Sequence, residues 1–349
     1  MASETDKRKR EHIETVLTED VRAKGVTTGF ERFLFDHVAL PELALDEVDL
    51  SSSLWNRRLA APLLISSMTG GTETARDINL RLAEAAQTLG LAMGVGSQRA
   101  AIEDPSLAGT YRVRAVAPDI LLFANFGAVQ LNRGFGADEA RRAVEMIEAD
   151  ALILHLNPLQ EAVQAEGDRD FRGLYRKIEA IARALAVPVI VKEVGNGIGG
   201  EVARRLAACG VAAVDVAGAG GTSWSEVEAY RSRDPARRGV AHEFAGWGIP
   251  TALALIEARR AAPGLTLFAS GGIRGGVDAA KALRLGAALV GAAAPMLGSA
   301  TLTADSVIER MRRLIEELRI ACFCTGARDV AALRRAVLRR DSDWTVVPD

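Results

Sequence analysis

A chain of 349 residues, 49% of them apolar and 25% charged, can bury a large core, and α/β barrels often reach this length as one domain. Its formal net charge of -2 offers no field that would attract nucleic acid or an anionic membrane surface. No apolar run approaches the roughly 20 residues of a membrane span, and the N-terminus lacks the apolar segment of a secretory signal. Three cysteines form no even disulfide framework, which suits a reducing cytoplasm. Together with the charge and the lack of an apolar span, this predicts a cytoplasmic protein that binds neither nucleic acid nor membrane.

The first 60 residues are predicted to form an N-terminal extension. It opens with a polar helix over Asp6–Lys24, after which Phe33–Pro41 either caps the bottom of the next domain or reaches over its top. The densest basic run of the chain is Lys7-Arg8-Lys9-Arg10. From charge alone this run is either a solvated tail or an arm that folds over a phosphorylated substrate.

Eight short apolar runs follow, and each precedes a longer stretch with helical periodicity. They predict strands over Leu63–Gly70, Leu91–Gln98, Ile120–Gly127, Ala151–Pro158, Pro188–Gly195, Ala212–Gly220, Thr266–Ile273 and Ala287–Ala294. A continuous apolar run bounded by glycine or proline is typical of a parallel strand buried on both faces. Eight repeats favour a sheet that closes into a barrel over an open sheet. Residues 61–349 are therefore predicted to form a (β/α)8 TIM barrel of the α/β class. The barrel and the extension together are predicted to be a single domain.

The stretches between the strands place apolar residues on one helical face and charges on the other. This pattern predicts helices over Asp77–Leu89, Asp138–Glu148, Asp170–Leu185, Gly200–Cys209 and Val277–Leu285. The connection after the sixth strand, residues 221–250, is an exception because it is long and contains two tryptophans and a charged stretch. A long connection at that end of a barrel is either a lid or a disordered insertion.

Polar residues and glycines stand at the C-terminal ends of nearly all the predicted strands, where this fold places its active site. Gly220-Gly221 ends strand six, and Gly271-Gly272 and Gly275-Gly276 follow strand seven. Such glycines allow backbone N–H groups to cradle an anion, and a helix that begins near Val277 would add its positive end. The alternative is tight turn geometry alone.

Two further strand ends carry charge. Lys192 ends a very apolar strand and is costly there unless it meets an anion, an electron-rich ring or solvent. Strand four runs into His155, Gln160 and Glu161, where a lone carboxylate is a general base, a Mg2+ ligand or a solvated charge. If the substrate is a diphosphate, Glu161 is the economical Mg2+ ligand. The alternative to a functional role for His155 is a core histidine whose hydrogen bonds are satisfied within the protein.

Taken in order, these segments resemble the type 2 isopentenyl-diphosphate isomerases, flavin-dependent enzymes of isoprenoid synthesis. The resemblance covers essentially the whole chain. It rests on Arg8-Lys9-x-x-His12, Met68-Thr69-Gly70-Gly71, Gly96-Ser97-Gln98-Arg99, His155-Leu-Asn157-x-x-Gln160-Glu161, Val191-Lys192-Glu193, Gly220-Gly221-Thr222 and Ser270-Gly-Gly-Ile-Arg274. The second and fourth of these motifs are specific to the family, whereas the last is shared with other FMN barrels.

The resemblance implies a set of ligands and the residues that bind them. FMN would be bound by Ser67, Met68, Thr69, Ser97, Asn125, Lys192, Thr222, Gly272, Arg274, Ala293 and Ala294. The diphosphate of isopentenyl or dimethylallyl diphosphate would be held by Arg8, Lys9, Ser97, Gln98, Arg99 and Gln160, with Mg2+ on Glu161. Ala217 stands where the family commonly has serine and Ser67 where it commonly has alanine, so one hydroxyl near the flavin is lost and another gained.

The implied reaction moves a double bond with no net electron transfer. In the family's chemistry reduced FMN is the acid/base and NADPH only reduces it, while Lys192 would stabilise the anionic reduced flavin. Gln160 and His155 are the catalytic candidates, as groups that orient the substrate or relay protons. We expect a homo-oligomer, either a tetramer or an octamer.

Two alternatives stay open. An FMN-dependent hydroxy-acid or nucleotide oxidoreductase would share the phosphate loop. The first would want paired His and Arg near strand seven, where only Arg274 follows, and the second would want a cysteine on a strand-end loop, which the sequence lacks. The other alternative is a non-catalytic flavin-binding module, against which the many polar strand ends argue.

Overall fold

The computed structural model describes residues 4–343. Residues 1–3 and 344–349, which the predicted extension and barrel domain include, lie outside the described residues. The strands are β1 (Phe33–Phe35), β2 (Ser52–Leu54), β3 (Arg57–Leu59), β4 (Leu63–Ile65), β5 (Ala92–Gly94), β6 (Leu122–Gly127), β7 (Ala151–Leu156), β8 (Val189–Glu193), β9 (Ala213–Asp215), β10 (Thr266–Ala269), β11 (Leu289–Ala292) and β12 (Leu338–Arg340).

Strands β4 to β11 form a closed parallel barrel in chain order, which β11 completes by pairing with β4 at Val290 and Leu63. The predicted TIM barrel of the α/β class is confirmed, and each of the eight predicted runs contains one of its strands. The strands are shorter than the runs, mostly because the C-terminal part of the run is loop; β6 alone reaches the end of its run, at Gly127. Those loop residues are the ones that reach the functional end of the barrel.

The helices are α1 (Glu4–Thr18), α2 (Glu73–Leu89), α3 (Arg99–Glu103), α4 (Ala137–Ile147), α5 (Pro158–Val163), α6 (Leu174–Ala184), α7 (Gly200–Ala208), α8 (Trp224–Arg231), α9 (Pro235–Glu243), α10 (Thr251–Ala261), α11 (Gly276–Arg284), α12 (Ala294–Leu302), α13 (Ala304–Cys324) and α14 (Val330–Leu333). All five predicted barrel helices are present. Helix α2 starts earlier than predicted because the Thr72 side chain accepts the N–H of Ala75 and caps it there. Among residues 4–343, no helix combines the length and apolar content that crossing a membrane requires.

Aromatic rings fill the N-terminal end of the barrel. Phe123 of β6 and Phe268 of β10 stack inside it with their ring centroids 6.2 Å apart. Trp55, in the turn of the β2–β3 hairpin, packs against both rings from below, with its ring centroid 6.1 Å from each of theirs. The core thus closes the barrel at that end and leaves its free volume at the other.

The extension departs from its prediction in two places. Helix α1 ends at Thr18 rather than Lys24 because the chain then extends along the barrel mouth, where Ala23 N–H donates to the Gly221 carbonyl at 2.8 Å. The segment 33–41 contributes no residue to the cavity at the mouth of the barrel. Its strand β1 pairs antiparallel with β12, and the β2–β3 hairpin covers the bottom instead.

The connection 221–250 is not a disordered insertion. It folds into α8 and α9, and the Asp234 side chain caps α9 by accepting the N–H of Ala236 at 2.9 Å. Helix α8 packs against α1, so the two helices stand together beside the mouth of the barrel.

Candidate active site

A cavity of about 620 Å³ opens at the C-terminal ends of the barrel strands. This volume suits a cofactor or a small substrate. The structure brings nearly all the sequence-predicted site residues together around it: Arg8, Lys9, Ser67, Met68, Thr69, Ser97, Arg99, Asn125, His155, Gln160, Glu161, Lys192, Thr222, Gly272, Arg274, Ala293 and Ala294.

Gln98 is the exception. Its side chain is fully buried, and its amide donates to the carbonyl of Ala143 at 2.8 Å and accepts the N–H of Asn125 at 2.9 Å. Gln98 therefore ties the loop after β5 to β6 and α4, with its side chain turned away from the cavity.

Glycine loops after β9 and β10 build one side of the cavity. A Cβ atom on Gly221 would lie 2.4 Å from the backbone nitrogen of Gly272, and one on Gly272 would lie 2.4 Å from Cγ2 of Thr28. Gly272 also has a φ of 74°, in the left-handed region that favours glycine. Arg274 lines the same side, and α11 begins at Gly276. Backbone N–H groups beside a guanidinium suit a phosphate.

The deeper wall carries two hydroxyls after β4. The Oγ atoms of Ser66 and Ser67 are buried and have no hydrogen-bond partner among the described residues. A Cβ atom at Gly94 would lie 2.5 Å from Ser67 Oγ, so glycine at that position makes room for the hydroxyl. Buried hydroxyls without partners are rare in folded proteins, and a polar ring system bound against this wall would satisfy them.

Lys192 and Glu193 end β8 side by side. Lys192 is buried in the cavity wall, and its Nζ donates to the backbone carbonyl of Glu193 at 2.6 Å. Oε2 of Glu193 accepts four successive N–H groups, those of residues 194 to 197, at 2.6, 2.7, 2.5 and 3.2 Å. Burial raises the pKa of Glu193 to about 7 against the effect of these donors. Glu193 thus fixes the loop, whereas Lys192 presents its charge to the cavity.

Asp215, which the sequence analysis did not single out, holds the base of the glycine loops. It is buried at the end of β9, and both its oxygens accept the Ser270 hydroxyl at 2.9 Å, while Oδ1 also accepts the Ser270 N–H at 3.0 Å. An aspartate at the end of an apolar run belongs to no motif, so no sequence signal identified it.

His155 lies deep in the cavity. Its Nδ1 hydrogen-bonds to Oδ1 of Asn125 at 2.9 Å. Burial, and then the positive charges of Lys192 and Lys9, lower the pKa of His155 to about 3. The imidazole is therefore neutral, and it serves as a hydrogen-bonding group rather than a cation.

Gln160 and Glu161 stand on α5, directly after β7. Gln160 Nε2 donates to Oε1 of Glu228 at 3.0 Å. The Glu161 carboxylate accepts the Asn157 side-chain amide at 2.9 Å and the Asp168 N–H at 2.5 Å, while burial raises its pKa against these donors. Glu161 is the single acidic residue that lines the cavity in the described part of the chain.

The basic run lies on α1, at the mouth of the cavity. Lys9 Nζ donates to the Ser97 carbonyl at 3.1 Å and to the Tyr111 hydroxyl at 2.8 Å. His12 Nε2 lies 3.0 Å from Oε1 of Glu228, the carboxylate oxygen that also accepts Gln160. Glu228 is a buried acid on α8 that the sequence did not reveal. The arm is thus folded onto the site rather than solvated.

Residues 139–340, more than half of the chain, match the family model of FMN-dependent dehydrogenases, so this barrel belongs to the class of FMN-type barrel enzymes. Solved structures agree at the level of the fold. A mandelate oxidase structure has a TM-score of 0.66 at 20% identity and covers 97% of this chain and 99% of its own. A flavocytochrome b2 structure has a TM-score of 0.69 at 19% identity and covers 97% of this chain and 86% of its own.

Curated relatives share far more of the sequence. An isopentenyl-diphosphate delta-isomerase of Synechocystis sp. is 60% identical over 334 residues, which are 96% of each chain. Its namesake from Stutzerimonas stutzeri is 60% identical over 332 residues, 95% of this chain and 96% of the relative. The chain therefore belongs to the isopentenyl-diphosphate delta-isomerase family, which confirms the predicted family and the prediction of an isomerase.

Proposed function

We propose that this enzyme interconverts isopentenyl and dimethylallyl diphosphate, with reduced FMN as the acid/base and Mg2+ on the diphosphate. One observation carries the proposal. A single cavity joins a glycine cradle suited to a cofactor phosphate to a basic wall with one carboxylate, suited to a metal-bound diphosphate. The name that the relatives carry supports the choice of substrate.

The residues present fit FMN. The glycine loops and Arg274 would take its phosphate, and the unpartnered Ser66 and Ser67 hydroxyls would meet its polar ring edge. The remaining contacts would come from Met68, Thr69, Ser97, Asn125, Thr222, Ala293 and Ala294. When bound, reduced FMN would supply the acid and the base for proton transfer at carbon. Lys192 would favour an anionic form of the bound ring by its charge.

The opposite wall fits a diphosphate with Mg2+. Arg8, Lys9 and Arg99 bring positive charge to it, and Gln160 adds an amide donor. Mg2+ usually takes one or two protein carboxylates and completes its shell with phosphate oxygens and water. The lone Glu161 fits this pattern, since the described residues hold no cluster of three metal-ligating side chains. We leave Gln98 out because its amide is engaged elsewhere.

The chain's own part in the reaction is to align the substrate and to exclude water. An unactivated alkene is a weak base, so the proton donor must be held against it in a dry site. Helix α1 and Trp224 shield the mouth of the cavity. Neutral His155 and the buried Asn157, whose Oδ1 has no partner among the described residues, would orient the substrate. Gln160, anchored to Glu228, is our candidate for a proton relay.

We further infer that NADPH is the reductant and that the enzyme is a cytoplasmic homo-oligomer, a tetramer or an octamer. The family resemblance supports both inferences. Because the isomerisation transfers no net electrons, the NADPH consumed should stay far below the product formed. Stoichiometric consumption would contradict a role limited to cofactor reduction.

An anaerobic assay with the FMN-loaded enzyme tests the proposed function. Isopentenyl diphosphate is supplied with Mg2+ after photoreduction of the flavin, and dimethylallyl diphosphate is measured by NMR. We expect conversion with reduced FMN and none with oxidised FMN. The same protein is offered mandelate in air. Turnover of the hydroxy acid without any isomerisation would replace the proposal with the oxidase alternative.

A further inference from the structure

We infer that Asp168 is a positioning residue that holds Arg99 and Glu161 in the arrangement in which magnesium diphosphate binds. This inference rests on the proposed function, from which it takes the diphosphate and the metal. Asp168 lies in the loop between α5 and α6 and does not line the cavity. It stands behind the wall formed by Arg99 and Glu161, where the diphosphate would bind. It would therefore act through its neighbours rather than on the substrate.

The Asp168 carboxylate is the centre of a buried polar cluster. Only 5% of the residue is exposed. Oδ2 accepts Arg99 Nη1 at 3.0 Å and Gln130 Nε2 at 3.2 Å, while Oδ1 accepts Arg133 Nε at 2.5 Å. These donors occupy both oxygens, so the carboxylate has a fixed orientation.

Arg99 is held at two corners of its guanidinium. Nη1 donates to Asp168, and Nε donates to Glu103 at 2.8 Å. Because guanidinium is planar, two fixed nitrogens also fix the direction of the third. Arg99 lines the cavity and is partly exposed, so without Asp168 only the exposed pair with Glu103 would hold it and other rotamers would become accessible.

The backbone of the same loop holds the proposed metal ligand. The Asp168 N–H donates to Oε2 of Glu161 at 2.5 Å. The loop reaches Glu161 only because residue 167 is glycine, since a Cβ there would lie 1.9 Å from the Glu161 carbonyl oxygen. One residue therefore sets the positions of both the cation that meets the diphosphate and the carboxylate that meets the metal.

Charge explains why an acid is tolerated behind this wall. An unpaired carboxylate would repel a diphosphate, but Asp168 is shared between Arg99 and Arg133. The three groups together keep a positive charge. Asp168→Asn would keep the shape and add positive charge, so simple electrostatics expects tighter diphosphate binding. Positioning expects weaker binding, so the two explanations differ in sign.

Calorimetry with inorganic diphosphate, in the presence and absence of Mg2+, tests the inference on the FMN-loaded enzyme. We expect Asp168→Asn to weaken magnesium diphosphate binding by about 10-fold or more, with unchanged flavin affinity. Asp170→Asn is the matched control. That residue lies on the same loop, is exposed, and pairs with Arg172. Binding by Asp168→Asn within about twofold of the unaltered enzyme, or tighter, would overturn the inference.

A double-mutant cycle with Arg99→Ala separates positioning from general loosening. If Asp168 acts through Arg99, Asp168→Asn should change diphosphate affinity by less than about twofold in the Arg99→Ala background. A full additive loss would contradict this route. Gly167→Ala tests the backbone route. It should raise the Mg2+ concentration needed for half-maximal diphosphate binding, and an unchanged Mg2+ requirement would remove Glu161 from the inference.

These measurements need no turnover, so they separate the two proposals. If isopentenyl diphosphate is not isomerised while Asp168→Asn still loses magnesium diphosphate binding, the proposed function fails and the role of Asp168 stands. If the enzyme isomerises isopentenyl diphosphate and Asp168→Asn keeps full affinity for magnesium diphosphate, the proposed function stands and the role of Asp168 fails.

Discussion

The Nδ1 atom of His155 lies 2.9 Å from Oδ1 of Asn125. Because an amide oxygen can only accept, this contact makes Nδ1 the protonated nitrogen and leaves the lone pair on Nε2. Burial keeps the ring neutral. His155 is thereby committed to one tautomer, with an acceptor at Nε2.

His155 should make stability depend on pH. Its pKa is about 3 in the folded chain and 6.5 ordinarily. As pH falls below about 6.5, this histidine therefore binds a proton in the unfolded chain but not in the folded chain. The free energy of unfolding then falls by up to about 1.4 kcal/mol per pH unit. His155→Gln should lose correspondingly less between about pH 6 and about pH 5, measured by urea unfolding. Equal losses in the two proteins would contradict a neutral buried imidazole.

Glu228→Gln should impair turnover more than flavin binding. Glu228 holds Gln160 at 3.0 Å and His12 at 3.0 Å through Oε1 and pairs with Arg231 through Oε2, so an amide weakens both contacts by removing the charge and turns an N–H toward Arg231. We expect kcat to fall by about 10- to 100-fold with the flavin absorbance retained. Glu226→Gln is the control, because Glu226 is buried on the same helix and pairs with His242 instead. Similar losses in both variants would indicate that α8 as a whole is disturbed.

Glu161→Gln should raise the Mg2+ requirement without releasing the flavin. The amide keeps the size of the side chain but not the negative charge that a hard cation prefers. The Mg2+ concentration for half-maximal activity should rise by about 10-fold or more. Glu145→Gln, on the exposed face of α4, should leave it unchanged. Loss of flavin equal to the loss of Mg2+ dependence would count against a metal ligand.

Gly272→Ala should release FMN. The new methyl group would combine a φ of 74° with a 2.4 Å approach to Thr28. The conformation alone costs about 1–2 kcal/mol, so flavin affinity should fall by about 10-fold or more. Fluorescence titration of the apoprotein measures it. Gly264→Ala has nothing within 4 Å of the added Cβ and should bind flavin normally. Normal binding by Gly272→Ala would exclude the glycine loop as the phosphate cradle.

The barrel was predictable because its strands are buried on both faces and read as continuous apolar runs. The glycine and polar residues at their ends were predictable for the same reason, since the fold dictates where those ends meet. The direction in which an individual side chain points was harder to predict. Ser97 lines the cavity, whereas its neighbour Gln98 stands at the turn into α3 and directs its amide to the carbonyl of Ala143.

Buried acids account for most of what the sequence concealed. Helix α8 buries Glu226 and Glu228, so its polar residues gave no amphipathic pattern and 221–250 read as a long loop. Asp168 and Asp215 likewise contact partners 69 and 55 positions away in the chain, Arg99 and Ser270. Their roles depend on tertiary pairing, which a local pattern does not encode.

The β1–β12 ribbon also sets an order of assembly. It joins residues far apart in the chain, and Arg339 pairs with Asp36 across 303 positions. During synthesis β1 must wait for its partner until all eight barrel strands have been made. The base of the extension that carries the basic arm can therefore be fastened only after the whole barrel sequence has been synthesised.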